Sequence, residues 1–126
     1  MNIIKLEELE LKILTELDIT DYCNLNDINP DNITELNLKY NNLTDISGIK
    51  LFKNLERLWL DYNKITDISC IKNFKNLINL SIDYLRLESD QIEYIKSLKS
   101  LKNLFRIKGF KDMSVLNQLN KNIELY

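Results

Sequence analysis

A pattern of apolar positions recurs along the middle of the chain at an interval of 22 residues. In each copy, leucine or isoleucine occupies the first, fourth, sixth, eleventh and fourteenth places, and asparagine occupies the ninth. The two clearest copies run from 33 to 46 and from 55 to 68. A fixed period in this range indicates stacked supersecondary units, none of which can bury its apolar face alone. The pattern therefore predicts a solenoid.

The apolar alternation inside each copy predicts a short parallel strand. In the second copy, Leu58 and Leu60 are expected to face the interior, while Trp59 between them faces outward. Asn41 and Asn63 are expected to mark the end of each strand, because a buried amide can satisfy turn backbone groups that no strand partner reaches. The Thr-Asp-Ile-Ser sequence that follows in both copies predicts an irregular or 3₁₀ return leg.

Upstream of these copies the pattern is less regular. Residues 2–13 fit either a short helix or a strand, and in both cases they are expected to cover the end of the first repeat. The first unit is predicted at 14–22, with a strand through Leu17 and Ile19. Its Tyr22 stands where the regular copies have asparagine.

Downstream, a fourth unit keeps the apolar positions as Leu77, Leu80 and Ile82, but it has Leu85 in place of the asparagine and lacks the Thr-Asp-Ile-Ser sequence. Asp90 and Glu93 have the spacing of a capping box, which predicts a helix of about ten residues after Asp90. The buried stripe of that helix is expected to be Ile92, Ile95 and Leu98.

The last part of the chain predicts three short elements. They are a fifth strand at 104–107, a short helix at 115–119 and a half-strand at 123–125. The half-strand leaves a sheet edge that can pair with a second copy, so we expect a monomer or a weak dimer through that edge.

The repeated motif L-x-x-L-x-L-x-x-N-x-L-x-x-I resembles that of the leucine-rich repeat family. Its 22-residue length and Thr-Asp-Ile-Ser tail are similar to the subclass in bacterial internalins and SDS22-like phosphatase regulators. The resemblance implies an α/β fold, namely a right-handed leucine-rich repeat solenoid with a parallel concave sheet. It also implies that the protein binds other macromolecules. We expect a single domain over 1–126, with an N-terminal cap at 1–13, repeats at 14–107 and a C-terminal cap at 108–126.

Composition argues against several classes of function. The chain has no histidine, its two glycines belong to no phosphate-binding loop, and its two cysteines lack zinc-ligand spacing. We therefore expect no enzymatic activity, cofactor, metal or small-molecule substrate, and two reduced thiols. No apolar run has the length of a signal peptide or membrane span, which predicts a cytoplasmic protein or a fragment from which a leader was removed.

The predicted concave face is the candidate interaction surface, because residues 22 apart form ladders across a parallel sheet. It carries the only tryptophan and three of the six tyrosines. Trp59 has the character of a binding hot spot, whereas the tyrosines fit aromatic stacking along the sheet equally well. The candidate partner-binding residues are Asn37, Lys39, Tyr40, Arg57, Trp59, Asp61, Tyr62, Ser81, Asp83 and Tyr84.

The charge expected on this face favours a protein partner with a basic patch. With the first strand predicted through Leu17, six acidic residues on this face oppose two basic ones, Lys39 and Arg57. Nucleic acid is then an unlikely partner for this face, since its phosphates would be repelled. The acidic residues are Glu16, Asp18, Asp21, Glu35, Asp61 and Asp83.

The leading hypothesis is a non-catalytic protein–protein interaction module that acts as a dedicated inhibitor. Examples are an immunity protein, or a phage or viral antagonist of a basic host factor such as a nuclease. An alternative is a regulatory or scaffold subunit that positions an enzyme. A third class is an RNA-associated protein that uses the lysine-rich C-terminal part, although those lysines fit a solvated face better.

Overall fold

The computed structural model describes residues 2–7 and 12–126. Within them, six short strands form one parallel sheet whose strand order follows the chain order. The strands are β1 (Ile3–Lys5), β2 (Glu35–Asn37), β3 (Arg57–Trp59), β4 (Asn79–Ser81), β5 (Asn103–Phe105) and β6 (Glu124–Leu125).

The return legs between the strands are mostly helical turns. The α-helices are α1 (Glu16–Leu25) and α2 (Ile92–Lys96). The 3₁₀ helices are Pro30–Asn32, Ser47–Leu51, Ser69–Asn73, Ser89–Gln91 and Met113–Gln118. The chain is thus an α/β solenoid with strands on one side and helical or 3₁₀ legs on the other.

The predicted register of the central strands is confirmed. Leu58 pairs with Leu36 on one side and with Leu80 on the other, and all three are fully buried. Trp59 stands in register with Asn37 and Ser81, on the opposite face of the same strands. Burial of a leucine side chain contributes roughly 1.5–3 kcal/mol, so this interior column fixes which residues face outward.

The two predicted asparagines join neighbouring repeats. The Asn63 side-chain oxygen accepts hydrogen bonds from the backbone N–H groups of Asn41 and Leu43, at 3.1 and 3.0 Å. Its amide nitrogen donates to the carbonyl oxygens of Leu38 and Leu60, at 2.8 and 2.9 Å. Each such group would cost roughly 1–3 kcal/mol if left buried without a partner, so the amide stabilises the turn on which two repeats meet.

The Thr-Asp-Ile-Ser sequences start 3₁₀ return legs, as predicted. The Asp45 carboxylate accepts from the backbone N–H of Ser47, and Asp67 does the same for Ser69, both at 2.7 Å. This local hydrogen bond favours a tight turn at the start of the leg. Asp112 repeats the arrangement with Ser114 at 3.0 Å, a recurrence of the Asp-x-Ser pattern that sequence reasoning missed.

The predicted strand through Leu17 and Ile19 is wrong. Both residues lie in α1, where Leu17 is 67% exposed and Ile19 is buried. The helix begins with a capping box: the Thr15 hydroxyl accepts from the N–H of Asp18, and the Asp18 carboxylate accepts from the N–H of Thr15. These local bonds favour a helix over the strand that the alternation predicts.

The first strand lies instead inside the segment predicted as a cap. Ile4 pairs with Leu36 and Ile13 bridges to Asp45, so the first repeat is offset by 32 residues and not 22. Its return leg is longer because it contains α1. A strand forms at Ile3–Lys5. The helix predicted within 2–13 relied on Leu9 and the strand on Leu9 and Leu11, and these two residues lie outside the described part of the chain.

The helix predicted after Asp90 is shorter than expected. It covers Ile92–Lys96, follows a 3₁₀ turn, and has no side-chain cap, so the predicted capping box does not form. The predicted stripe of Ile92, Ile95 and Leu98 is buried. Gln91 turns inward and its side-chain oxygen accepts from the N–H of Ile68 at 2.8 Å, which ties this leg to the preceding repeat.

The C-terminal elements differ from prediction mainly in length. Strand β5 ends at Phe105, and Ile107 is exposed beyond it. The element predicted as a short helix at 115–119 is the 3₁₀ helix Met113–Gln118. The predicted half-strand is confirmed as β6, in which Leu125 pairs with Leu104.

Gly48 lies where α1 begins to pack against the next return leg. Its N–H donates to the Leu14 carbonyl at 2.8 Å, and a Cβ added to it would lie 2.2 Å from the carbonyl carbon and oxygen of Thr15. The equivalent position in the next repeat is Cys70, whose side chain is accommodated and buried. Only a glycine fits at the junction with the first repeat.

We expect Gly48→Ala to lower the free energy of unfolding by about 2–3 kcal/mol, because the new methyl group overlaps a backbone that cannot move without displacing α1. Urea denaturation followed by circular dichroism measures the loss. The matched control is Cys70→Ala, which should cost about 1 kcal/mol. An equal or smaller loss in Gly48→Ala would show that this junction is not tightly packed.

Candidate functional site

The concave face of the sheet gathers most of the predicted site residues. Asn37, Trp59 and Ser81 form one row across β2, β3 and β4. Lys39 and Asp61 follow their strands in the next row, where they form an ion pair at 3.5 Å. Arg57 begins β3 beside Glu35 of β2, and their side chains pair at 3.6 Å.

The predicted acidic character of this face is wrong. Glu16, Asp18 and Asp21 belong to α1, which packs against the Ser47–Leu51 return leg and not on the sheet. Of the residues assigned to the face, three acids then remain against two bases, and two of the acids are paired with those bases. The steering of a broadly basic partner, which the predicted charge implied, loses this support.

Three aromatic rings form a row over the C-terminal half of the sheet. The Trp59 and Phe105 ring centroids lie 5.7 Å apart, and Phe105 stacks on Tyr126 at 4.8 Å. Trp59 and Phe105 are on strands separated by β4, roughly 9.6 Å apart at the usual strand spacing. The rings approach because the residue between them is the small Ser81, which they leave only 1% exposed.

This aromatic row (Trp59, Phe105 and Tyr126) alters two expectations. Trp59 faces outward as predicted, but it is half-buried and not fully exposed. Tyr126 was missed, although its position directly after Leu125 extends the outward column that contains Phe105. The pairing of Leu104 with Leu125 places it there. The row is a surface of three mutually packed aromatic rings in the part of the chain that the structure describes.

The three predicted tyrosines stack on one another at the end of the strands. Tyr40 and Tyr62 have ring centroids 4.5 Å apart, and Tyr62 and Tyr84 are 4.6 Å apart. All three have φ near +60°, a region that bulky residues rarely adopt. Partial burial between two neighbouring phenols raises the pKa of Tyr62. Stacking of this kind is one of the two roles expected for these tyrosines; their contact with a partner stays a prediction.

Asp61 is far less accessible than its position on the face predicts. It is 4% exposed, and one carboxylate oxygen, Oδ1, is buried without a hydrogen-bond partner among the described residues. Burial raises the pKa of Asp61, an effect that Ser81 opposes and the charge of Asp83 reinforces. Asp83 itself accepts from the backbone N–H of Ile107 at 2.8 Å.

The remaining chemistry-bearing groups form no further site. Among the described residues, no three acidic, cysteine or histidine side chains are grouped to hold a metal ion. Cys23 and Cys70 are buried free thiols, and burial raises the pKa of Cys70 to about 12, which makes its reactive thiolate scarce. No helix in the described part of the chain is both long and apolar enough to cross a membrane.

Comparison with known proteins agrees with this architecture. Residues 31–74 match the family model described as leucine rich repeats (2 copies). No curated protein matches the chain. The fold is an α/β leucine-rich repeat solenoid, and the match supports the leucine-rich repeat family, whose members are generally non-catalytic scaffolds that bind other proteins.

The raised pKa of Asp61 predicts a specific pH dependence of stability. Between pH 3.8, the usual aspartate value, and the raised value, the folded chain holds a proton that the unfolded chain releases. Stability due to Asp61 must therefore fall as pH rises through this window, by about 1.4 kcal/mol for each unit of upward shift.

We expect the stability difference between wild type and Asp61→Asn to fall with rising pH in that window and to level off above it. Urea denaturation of both proteins across the acidic range measures the difference, which cancels the opposite contributions of Asp18 and Asp112, whose pKa values are lowered. A difference that is flat or rises with pH would contradict the desolvation of Asp61.

Proposed function

We propose that this chain is a non-catalytic protein-binding module that contacts its partner through the concave sheet. The observation that carries the proposal is the aromatic row, in which Trp59 lies on β3 near the middle of the sheet. The leucine-rich repeat match supports the same class of function. Aromatic side chains near the centre of a surface dominate binding energy in many protein interfaces.

The packing of the row makes it a suitable anchor. Phe105 is held between Trp59 and Tyr126, and the Trp59 ring also contacts the Lys39 ammonium at 5.0 Å. Side chains that are already ordered lose little conformational entropy when a partner covers them. The row therefore offers apolar area at low entropic cost. The candidates Asn37, Arg57 and Asp83 supply polar contacts around it, whereas Ser81 lies covered beneath the rings and shapes the row.

Within this class, we favour a cytoplasmic inhibitor of the 22-residue internalin-like or SDS22-like subclass, monomeric or weakly dimeric through β6. The regulatory or scaffold alternative uses the same surface and differs only in its effect on the partner. The RNA-associated alternative is weaker, because two of the C-terminal lysines are paired within the chain: Lys96 with Glu93 and Lys111 with Glu88.

We expect Trp59→Ala to weaken partner binding by about 2 kcal/mol or more while leaving the fold intact. A photo-crosslinking amino acid at position 59, expressed in the organism that encodes the chain, identifies the partner. Calorimetry with the purified partner then measures the affinity of the wild-type chain and of Trp59→Ala. Position 53 is the matched control, since Lys53 lies on a return leg and pairs there with Asp31.

Crosslinks at 59 but not at 53, together with lost affinity in Trp59→Ala and unchanged affinity in Lys53→Ala, support the proposal. Equal crosslinking at both positions, or full affinity in Trp59→Ala, would assign binding to another surface. A partner that loses activity as the concentration of this protein rises favours the inhibitor. A partner that stays fully active but changes its choice of substrate favours the regulatory subunit. Binding to RNA that weakens steeply with salt would favour the third class.

A further inference from the structure

The Lys39 side chain occupies a site that is built for a cation. Its ammonium lies 5.0 Å from the centre of the Trp59 ring and 3.5 Å from the Asp61 carboxylate. An aromatic face and a carboxylate on the same side of a sheet attract a positive charge by two independent effects, the ring quadrupole and direct ion pairing. The structure thus shows that a cation fits between these two groups.

Lys39 leaves the negative charge beneath it only partly satisfied. The Asp61 side chain is 94% buried, since 6% of it is exposed, and its Oδ1 atom has no hydrogen-bond partner in the described part of the chain. Asp83 follows β4 on the adjacent turn, where its carbonyl accepts from the Tyr62 N–H at 3.0 Å. Asp83 forms no ion pair with a lysine or arginine of the described residues, and its negative charge raises the pKa of the neighbouring Asp61 further.

We propose that this cation slot (Trp59, Asp61 and Asp83) receives an arginine side chain of the protein partner, which displaces Lys39. The inference rests on the proposed function and adds the chemistry of the partner's contact. A guanidinium is planar, stacks on an indole, and carries five N–H donors. It can therefore serve both carboxylates while covering Trp59, whereas the single ammonium of Lys39 is a point charge on a flexible stem.

Displacement of Lys39 has a low cost. Its side chain is 37% exposed, and the ion pair at 3.5 Å is longer than a well-formed charged hydrogen bond. The released ammonium moves into water, where it regains its hydration and its side-chain entropy. Lys39 thus acts as a replaceable internal counter-charge that keeps Asp61 compensated until a partner binds.

The small size of the cation slot also limits how much positive charge the partner needs to present. The face as a whole has lost the acidic excess that predicted a basic patch, and Arg57 is paired with Glu35. The remaining attraction is local and lies beside the aromatic row. The partner is therefore expected to present one arginine within an otherwise apolar contact, and not a broad basic surface.

A small probe tests the slot without the partner. N-acetyl-arginine amide carries the guanidinium, and N-acetyl-citrulline amide is a neutral isostere that controls for stacking and crowding. Trp59 is the only tryptophan, so its selectively excited fluorescence reports occupation of the slot directly. We expect a saturable fluorescence change with the arginine probe and none with the citrulline probe.

Variants of the chain identify the groups involved. If Lys39 fills the slot in about nine molecules of ten, Lys39→Gln should bind the arginine probe about tenfold more tightly than wild type. Asp61→Asn in the Lys39→Gln background should abolish the saturable change. The matched control is Lys53→Gln, which removes a lysine from a return leg and should bind the probe as wild type does.

Should Lys39→Gln fail to fold, as judged by circular dichroism, Asp83→Asn provides a second test. The new amide keeps an oxygen for the Ile107 N–H, and the lost charge should weaken the arginine probe several-fold relative to wild type. Equal responses to the arginine and citrulline probes, or arginine binding unchanged by Asp61→Asn or Asp83→Asn, would overturn the inference. So would the absence of a saturable change in both wild type and a folded Lys39→Gln protein.

The outcome is separable from that of the proposed function. A slot that fails to bind the arginine probe, combined with lost partner affinity in Trp59→Ala, would leave the aromatic row as the anchor and remove only the arginine contact. Probe binding combined with full partner affinity in Trp59→Ala would show a real cation slot on a face that the partner does not use.

Discussion

The continuous stack of buried leucines determines the direction in which all the remaining side chains of the sheet point. Leu36, Leu58, Leu80 and Leu104 are in register on successive strands and share one interior. Because alternate residues of a strand face opposite sides, a shift by one residue would expose this entire column. The register is therefore strongly specified, and the concave row of Asn37, Trp59, Ser81 and Phe105 follows from it.

That constraint gives the concave face its two distinct parts. Toward the N-terminal end the outward residues are charged and pair with one another, as Lys39 does with Asp61 and Arg57 with Glu35. Toward the C-terminal end they are aromatic, and the small Ser81 allows Trp59 and Phe105 to meet above it. Trp59 stands at the boundary, where it touches both Phe105 and the Lys39 ammonium. A partner that covers this boundary contacts both the apolar surface of the aromatic row and the ion pair between Lys39 and Asp61.

The first repeat shows where pattern reading fails. Leu17 and Ile19 alternate like strand residues, but Thr15 and Asp18 form a capping box that starts α1 there. The same error placed three acidic residues on the concave face and so produced the expectation of a basic partner. A local hydrogen-bond pair decided the element, and the charge of the proposed interface changed with it. The offset of 32 residues between Ile4 and Leu36 is invisible to a search at a period of 22.

The sequence by itself determined the repeat, the inward leucines, the asparagines that join neighbouring turns and the outward position of Trp59. These features follow from short-range periodicity, because the position of a residue within its own strand decides whether its side chain faces inward or outward. Only the tertiary structure decided that Trp59 is half-buried, that Tyr126 completes the aromatic row and that Asp61 keeps an unpaired oxygen beneath Lys39. Those features depend on side chains from different repeats meeting across the sheet, and the size of a neighbour such as Ser81 sets how closely they approach.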